Sequence, residues 1–125
     1  MYEINVQQQF IARHYLIGGD WGKENFPHAH PYRLEIQLYG ETLDQHGYLV
    51  DIVKVEEVIK DVLEKYADRL LNELPEFFEI NPSLERFVAY IFEFVRERLH
   101  FENIKRMRIV LWENEQAYSA LEKEI

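Results

Sequence analysis

Residues 30–43, HPYRLEIQLYGETL, constrain the fold more than any other stretch of the chain. Tyr32, Leu34, Ile36 and Leu38 fall on one parity, and Arg33, Glu35 and Gln37 fall on the other. A period of two puts successive side chains on opposite faces of a strand, here one apolar and one polar. The segment 2–16, YEINVQQQFIARHYL, repeats the pattern, with Tyr2, Ile4, Val6, Phe10, Ala12 and His14 in phase. Between the two, residues 17–27 hold three glycines and a proline and read as a loop. DQHG (44–47) reads as a turn and YLVDI (48–52) as a return strand, which predicts a hairpin.

The period changes after residue 53. In 54–71, Val55, Val58, Ile59, Val62, Leu63 and Tyr66 follow the i, i+3, i+4, i+7 spacing of one helical stripe. A second helix is expected over 81–99, with Asn81 as N-cap and Pro82 at the first helical position. Its apolar face is Phe87, Ile91, Phe94 and Val95, tapering to Arg98. Residues 104–115 read as a strand with Met107, Ile109, Leu111 and Glu113 on one parity, and 115–125 as a short helix or an extended tail. The expected order is β-β-β-α-α-β. One α+β domain spanning 1–125 accounts for it: a four-stranded antiparallel sheet with two helices on one face. Four strands are too few to close a barrel, so oligomerisation would finish the barrel and cover the sheet edges.

Composition narrows the function. Hydrophobic residues make up 47% of the chain, enough for a packed core. A formal net charge of −9 argues against non-specific nucleic-acid binding, which needs a basic surface. With no cysteine, disulfides and thiolate metal sites are excluded. No apolar run approaches a membrane span, and the first ten residues do not resemble a signal peptide, so the expectation is a soluble cytoplasmic protein.

The histidines carry the chemistry. His28 and His30 share one side of the second strand, in line with Tyr32 and Leu34, and His14 lies on the core parity of the first. If the loop 17–27 lets those strands pair, three imidazoles converge. Three nitrogen ligands with an open fourth position describe a catalytic zinc site. The competing reading is three unrelated core or surface histidines. His46 sits in a polar turn, and His100 follows the second helix, where it can meet the last carbonyls. Glu113 shares the apolar parity of its strand, where a carboxylate is costly unless paired.

Six segments, in order, resemble a known family: FIARH (10–14), HAHPY (28–32), HGYLVD (46–51), YADRLLN (66–72), NPSLE (81–85) and VLWE (110–113). Their spacing is similar to that of the 6-pyruvoyl-tetrahydropterin and 6-carboxytetrahydropterin synthases. The resemblance implies the tunnelling fold (T-fold), with subunits closing a trimeric barrel that often stacks into a hexamer. It also implies zinc held by three histidines, which carry over to His14, His28 and His30, with Ala29 where the family has glycine. Glu113 matches the glutamate that holds the pterin ring.

Besides Ala29, two departures from the family pattern matter. The synthases place a general-base cysteine four residues before the paired histidines, and this chain has Glu24 there. Their Asp-His pair reads Asp68-Arg69 here. Arginine stays protonated and cannot be a base, though it can pair with Asp68 or grip a phosphate or carboxylate. A branch of the family bearing glutamate at this position is associated with cleaving the side chain of 7,8-dihydroneopterin triphosphate to 6-hydroxymethyl-7,8-dihydropterin. The resemblance therefore implies a zinc-dependent pterin lyase with Glu24 as base. A 6-carboxytetrahydropterin synthase of queuosine biosynthesis, or a pterin-binding homologue without turnover, are the alternatives.

Overall fold

A computed structural model describes residues 1–125. Two long strands open the chain, β1 (Tyr2–His14) and β2 (His28–Gly40), followed by helices α1 (Ile52–Tyr66) and α2 (Leu84–Arg98) and strands β3 (Arg106–Trp112) and β4 (Tyr118–Glu124). The sheet runs β1-β2-β3-β4, antiparallel throughout. This is the expected four-stranded antiparallel sheet with two helices, but its strands are not quite those expected.

The alternation in β1 and β2 sets which face is buried. Phe10, Ala12, Tyr32, Leu34, Ile36 and Leu38 are buried, as are Met107, Ile109 and Leu111 on β3. Val55, Val58, Ile59, Val62 and Tyr66 of α1 and Phe87, Ile91 and Val95 of α2 join them in one core cluster. At its centre Phe87 packs edge-on against Phe10, Tyr32, Tyr66 and Phe77, with ring centroids 4.9 to 6.1 Å away. Tyr32 carries this aromatic packing to His30, at 5.8 Å between centroids.

Three expectations need correction. Residues 48–52 do not form a return strand: both edges of β2 are already taken, by β1 and by β3. Leu49 and Val50 instead bury as a lead-in to α1, whose N-cap is Asp51, its side chain accepting from the Val53 amide at 3.0 Å. The fourth strand is 118–124, so the extended alternative for the C-terminal segment holds, and the element order is β-β-α-α-β-β. The second helix is capped not by Asn81 but by Ser83, whose hydroxyl accepts from the Arg86 amide at 3.2 Å.

Asn81 has a different task. Its side chain accepts from the Ile17 amide at 2.7 Å and donates to the Ile17 carbonyl at 3.1 Å. Asn72 clamps Tyr15 in the same two-way manner, both bonds at 2.9 Å. The two asparagines satisfy backbone groups just past the end of β1, where no neighbouring strand is available to do so. They anchor the chain just beyond His14.

Candidate metal centre

The β1–β2 register sets His14 directly opposite His28 and Ala12 opposite His30. All three imidazoles share the core-facing side of the pair, and Ala12 leaves room beside His30. Their ring centroids lie 4.6, 4.7 and 4.9 Å apart. One ring nitrogen from each residue lies within 4.8 Å of the others. His14 is buried, and the other two are half-buried.

Hydrogen bonds fix which nitrogens point inward. His28 Nδ1 faces the Phe26 carbonyl at 2.8 Å, and His14 Nδ1 faces the Pro82 carbonyl at 3.3 Å. A carbonyl only accepts, so each Nδ1 carries the proton and each Nε2 presents a lone pair. Backbone carbonyls on the outer nitrogen orient metal-binding imidazoles in this way. His28 Nε2 and His30 Nε2 are buried without a hydrogen-bond partner. Buried polar atoms left unpaired in the protein alone call for an explanation, and an ion among them supplies one. Three imidazoles suit zinc, with no thiolate to favour a softer metal.

Burial, then the charges of His30 and His28, lower the His14 pKa from an ordinary 6.5 to about 4. Burial also holds His30 below its ordinary value, although the nearby Glu113 carboxylate opposes it. The metal-free fold thus keeps His14 neutral where an unfolded chain would protonate it. Because the unfolded state binds more protons, stability is full above pH 6.5 and falls as pH drops toward 4. Urea midpoints of chelator-treated protein are expected to decrease from pH 7 to pH 5. A midpoint flat across that window would refute the assignment of His14 as a buried neutral imidazole.

Glu113 follows β3, and the β2–β3 register, continued by one residue, brings it opposite Tyr32. Its Oε1 lies 3.3 Å from His30 Nε2 and 3.7 Å from His14 Nε2. The groups that face this carboxylate on its apolar parity are therefore the histidine nitrogens. Tyr32 adds a hydroxyl 3.4 Å from His14 Nδ1; burial, then the Glu113 charge, raises its pKa and keeps it protonated.

Glu24 sits in a single helical turn, Gly22–Asn25. Its backbone carbonyl accepts from the Leu16 amide at 2.8 Å, and Asn25 ties the turn to the Leu16 and Gly19 carbonyls at 3.0 Å each. The loop thereby folds back beside His14. The Glu24 side chain is exposed and without a hydrogen bond or ion pair, yet near enough for its charge to act on His30.

Asp68 and Arg69 are not part of this cluster within one chain. Asp68 takes a left-handed φ of 61° and its amide donates to the Ile11 carbonyl, while the Arg69 carbonyl accepts from the Arg13 amide at 2.9 Å. The segment thus pairs with the outer edge of β1 at Ile11 and Arg13. Both side chains are exposed and form no ion pair with each other or with the histidines. Of the two asparagines that brace the end of β1, Asn72 was not identified from sequence and Asn81 was read only as a helix cap; both belong to the motif segments, but only the tertiary contacts reveal what they hold.

Residues 3–124 match the family model of 6-pyruvoyl tetrahydropterin synthase. The chain belongs to that family. A dihydroneopterin monophosphate aldolase of Pyrococcus furiosus is 31% identical over 86 residues, covering 69% of each chain. A protein of Archaeoglobus fulgidus, provisionally named 6-carboxy-5,6,7,8-tetrahydropterin synthase, is 25% identical over 120 residues, 96% of this chain and 95% of that one. The fold also matches a Plasmodium vivax 6-pyruvoyltetrahydropterin synthase, solved as a variant with its catalytic glutamate replaced by alanine. That match has a TM-score of 0.80 at 15% identity, covering 99% of this chain and 98% of the other. No helix of this chain is long and apolar enough to cross a membrane.

Proposed function

We propose that this protein is a zinc-dependent pterin lyase that shortens the side chain of a phosphorylated 7,8-dihydroneopterin, leaving 6-hydroxymethyl-7,8-dihydropterin. The observation that carries the reading is the convergence of the three histidine nitrogens, two of them buried and unpaired, beside a carboxylate in a chain with no cysteine. The aldolase name of the Pyrococcus relative supports the bond to be broken. The Plasmodium enzyme of the same fold supports glutamate as a workable catalytic group.

In this scheme His14, His28 and His30 hold the ion, which supplies a Lewis acid beside the side-chain oxygens. Glu24 takes the proton of the C2′ hydroxyl. The C1′–C2′ bond breaks, C2′ becomes the aldehyde of the departing phosphorylated fragment, and the bonding pair passes into the ring's C6=N5 imine. C1′ then regains a proton, which the protonated Glu24 can return. Glu113 accepts hydrogen bonds from the pterin amino and ring N–H groups, as a carboxylate suits a donor fork. Arg69, exposed and unpaired, is assigned to the substrate's phosphate, with Asp68 beside it. The open edges at β1 and β4 suit a trimer, or a hexamer of two trimers, closing the barrel.

The test is product analysis. Zinc-loaded protein is incubated with 7,8-dihydroneopterin monophosphate and, separately, with the triphosphate. Release of 6-hydroxymethyl-7,8-dihydropterin from either is the expected result. The Archaeoglobus relative, spanning nearly the whole chain, favours a second reading, 6-carboxytetrahydropterin synthase. That reading requires 6-carboxytetrahydropterin and acetaldehyde from the triphosphate. Zinc-loaded protein giving neither product would sink both and leave a pterin-binding role.

A further inference from the structure

The position of Glu113 relative to the histidine nitrogens has its own explanation. We infer that Glu113 is the fourth ligand of the metal centre in the substrate-free protein, so that the resting site is three imidazoles and one carboxylate. The inference rests on the proposed metal centre and not on the pterin reaction.

The first argument is the pairing of like groups. His14 Nδ1 faces the Pro82 carbonyl and so carries the ring proton, which leaves a lone pair on Nε2. The Glu113 carboxylate, which only accepts, faces that lone pair at 3.7 Å. The same oxygen lies 3.3 Å from His30 Nε2, a buried atom without a hydrogen bond. That carboxylate and the His14 lone pair are both acceptors, and they repel unless a cation stands between them.

The second argument is distance. Zinc lies about 2.0–2.1 Å from imidazole nitrogens and carboxylate oxygens, so ligand atoms at neighbouring corners of its tetrahedron are roughly 3.3–3.4 Å apart. Oε1 of Glu113 stands at 3.3 and 3.7 Å from two of the three nitrogens, close to that corner spacing. Glu24, the other carboxylate of the region, has no such approach; its side chain makes no ion pair with the histidines. The register explains why Glu113 is there: it continues the β3 parity that faces Tyr32, next to His30 on the same strand.

The consequence is a metal protected between turnovers. A ligand entering the site must displace this carboxylate, and in doing so frees it to accept from that ligand's N–H groups.

The test uses zinc and cobalt(II) alone. Zinc affinity is measured by chelator competition on wild-type protein and on Glu113→Gln, with circular dichroism confirming that the variant is folded. At least about a tenfold loss of affinity is expected, the lower end of what disturbing a metal's surroundings costs. The visible bands of the cobalt(II) protein are expected to shift in the variant. Equal affinity together with superimposable spectra would overturn the inference. A crystal structure of zinc-loaded wild-type protein needs no variant. A Glu113 oxygen within about 2.2 Å of the ion upholds the inference, and a water at that corner with Glu113 turned away overturns it. Wild-type protein that binds no zinc would remove the metal centre itself, whereas zinc bound without Glu113 removes only this inference.

Discussion

Replacing His28 with alanine is expected to abolish stoichiometric metal binding while leaving the fold intact. The imidazole stands at the first residue of β2, half-buried, with Nδ1 tied to the Phe26 carbonyl and Nε2 unpaired. Truncation there removes one of three nitrogens without touching the aromatic core around Phe87. It also relieves the close approach of His28 to His14 and His30, at 4.6 and 4.9 Å between ring centroids. Losing a ligand from a three-histidine site is expected to weaken zinc by about a hundredfold or more, beyond the 10–100-fold typical of losing an outer-shell partner. The stability readout is independent of the metal assay. A ligand held at a thousand times its dissociation constant adds about 4 kcal/mol to the folded state. Wild-type protein should therefore melt higher with zinc than with a chelator, and His28→Ala should melt at the same temperature in both. One zinc per chain in the purified variant would refute the assignment of His28. His14→Ala is the poorer test, because that ring is buried and its loss opens a cavity as well as a coordination position.

Much of this site was legible because strand parity is a local property. Period two alone puts His14 with Phe10 and Ala12, and His28 and His30 with Tyr32, and β1 and β2 are long enough to leave no ambiguity of face. Glu113 was legible as an anomaly, a carboxylate on an apolar parity, but its partners were not. They lie on β1 and β2, and sequence alone does not give the register between strands. The same limit explains the misplaced strand. YLVDI has the composition of a strand, but whether it pairs depends on which edges β2 has free, and β3, more than fifty residues later, takes the second one. Glu35 is a related case. Its parity put it on the polar face, yet Asn5 on β1 and Trp112 on β3 both donate to its carboxylate, and it is buried between them. Burial works to raise its pKa, but those hydrogen bonds and the charge of Arg33 outweigh it and hold the group ionised. The capping of α2 turned on a competition between neighbours: Asn81 and Ser83 can both cap, and Asn81 was already engaged by the Ile17 backbone.

Glu24→Gln is expected to lower turnover by about 10²- to 10⁴-fold, the range a positioned general base contributes, with metal content unchanged. The substitution keeps the size of the side chain and removes only its ability to take a proton. Nothing in the loop depends on the carboxylate. The turn is held by the Leu16 amide on the Glu24 backbone carbonyl and by the Asn25 side chain. An exposed side chain without partners changes stability by no more than about 0.5 kcal/mol when replaced. The variant should therefore fold, bind zinc and bind the pterin, and fail at the bond-breaking step. That pattern would separate a base from a metal ligand, because loss of a ligand lowers zinc content together with activity. It would also separate a base from a binding group, because loss of binding raises KM with kcat preserved. Turnover equal to wild type in a zinc-loaded Glu24→Gln protein would require another base. No second side chain near the three histidines is placed to serve. Glu113 faces the ring nitrogens themselves, Tyr32 holds its proton too tightly, and Asp68 lies at the outer edge of β1. A base would then have to come from a neighbouring copy, and Asp68, exposed where its segment pairs with the outer edge of β1, is the carboxylate a copy docked there would meet.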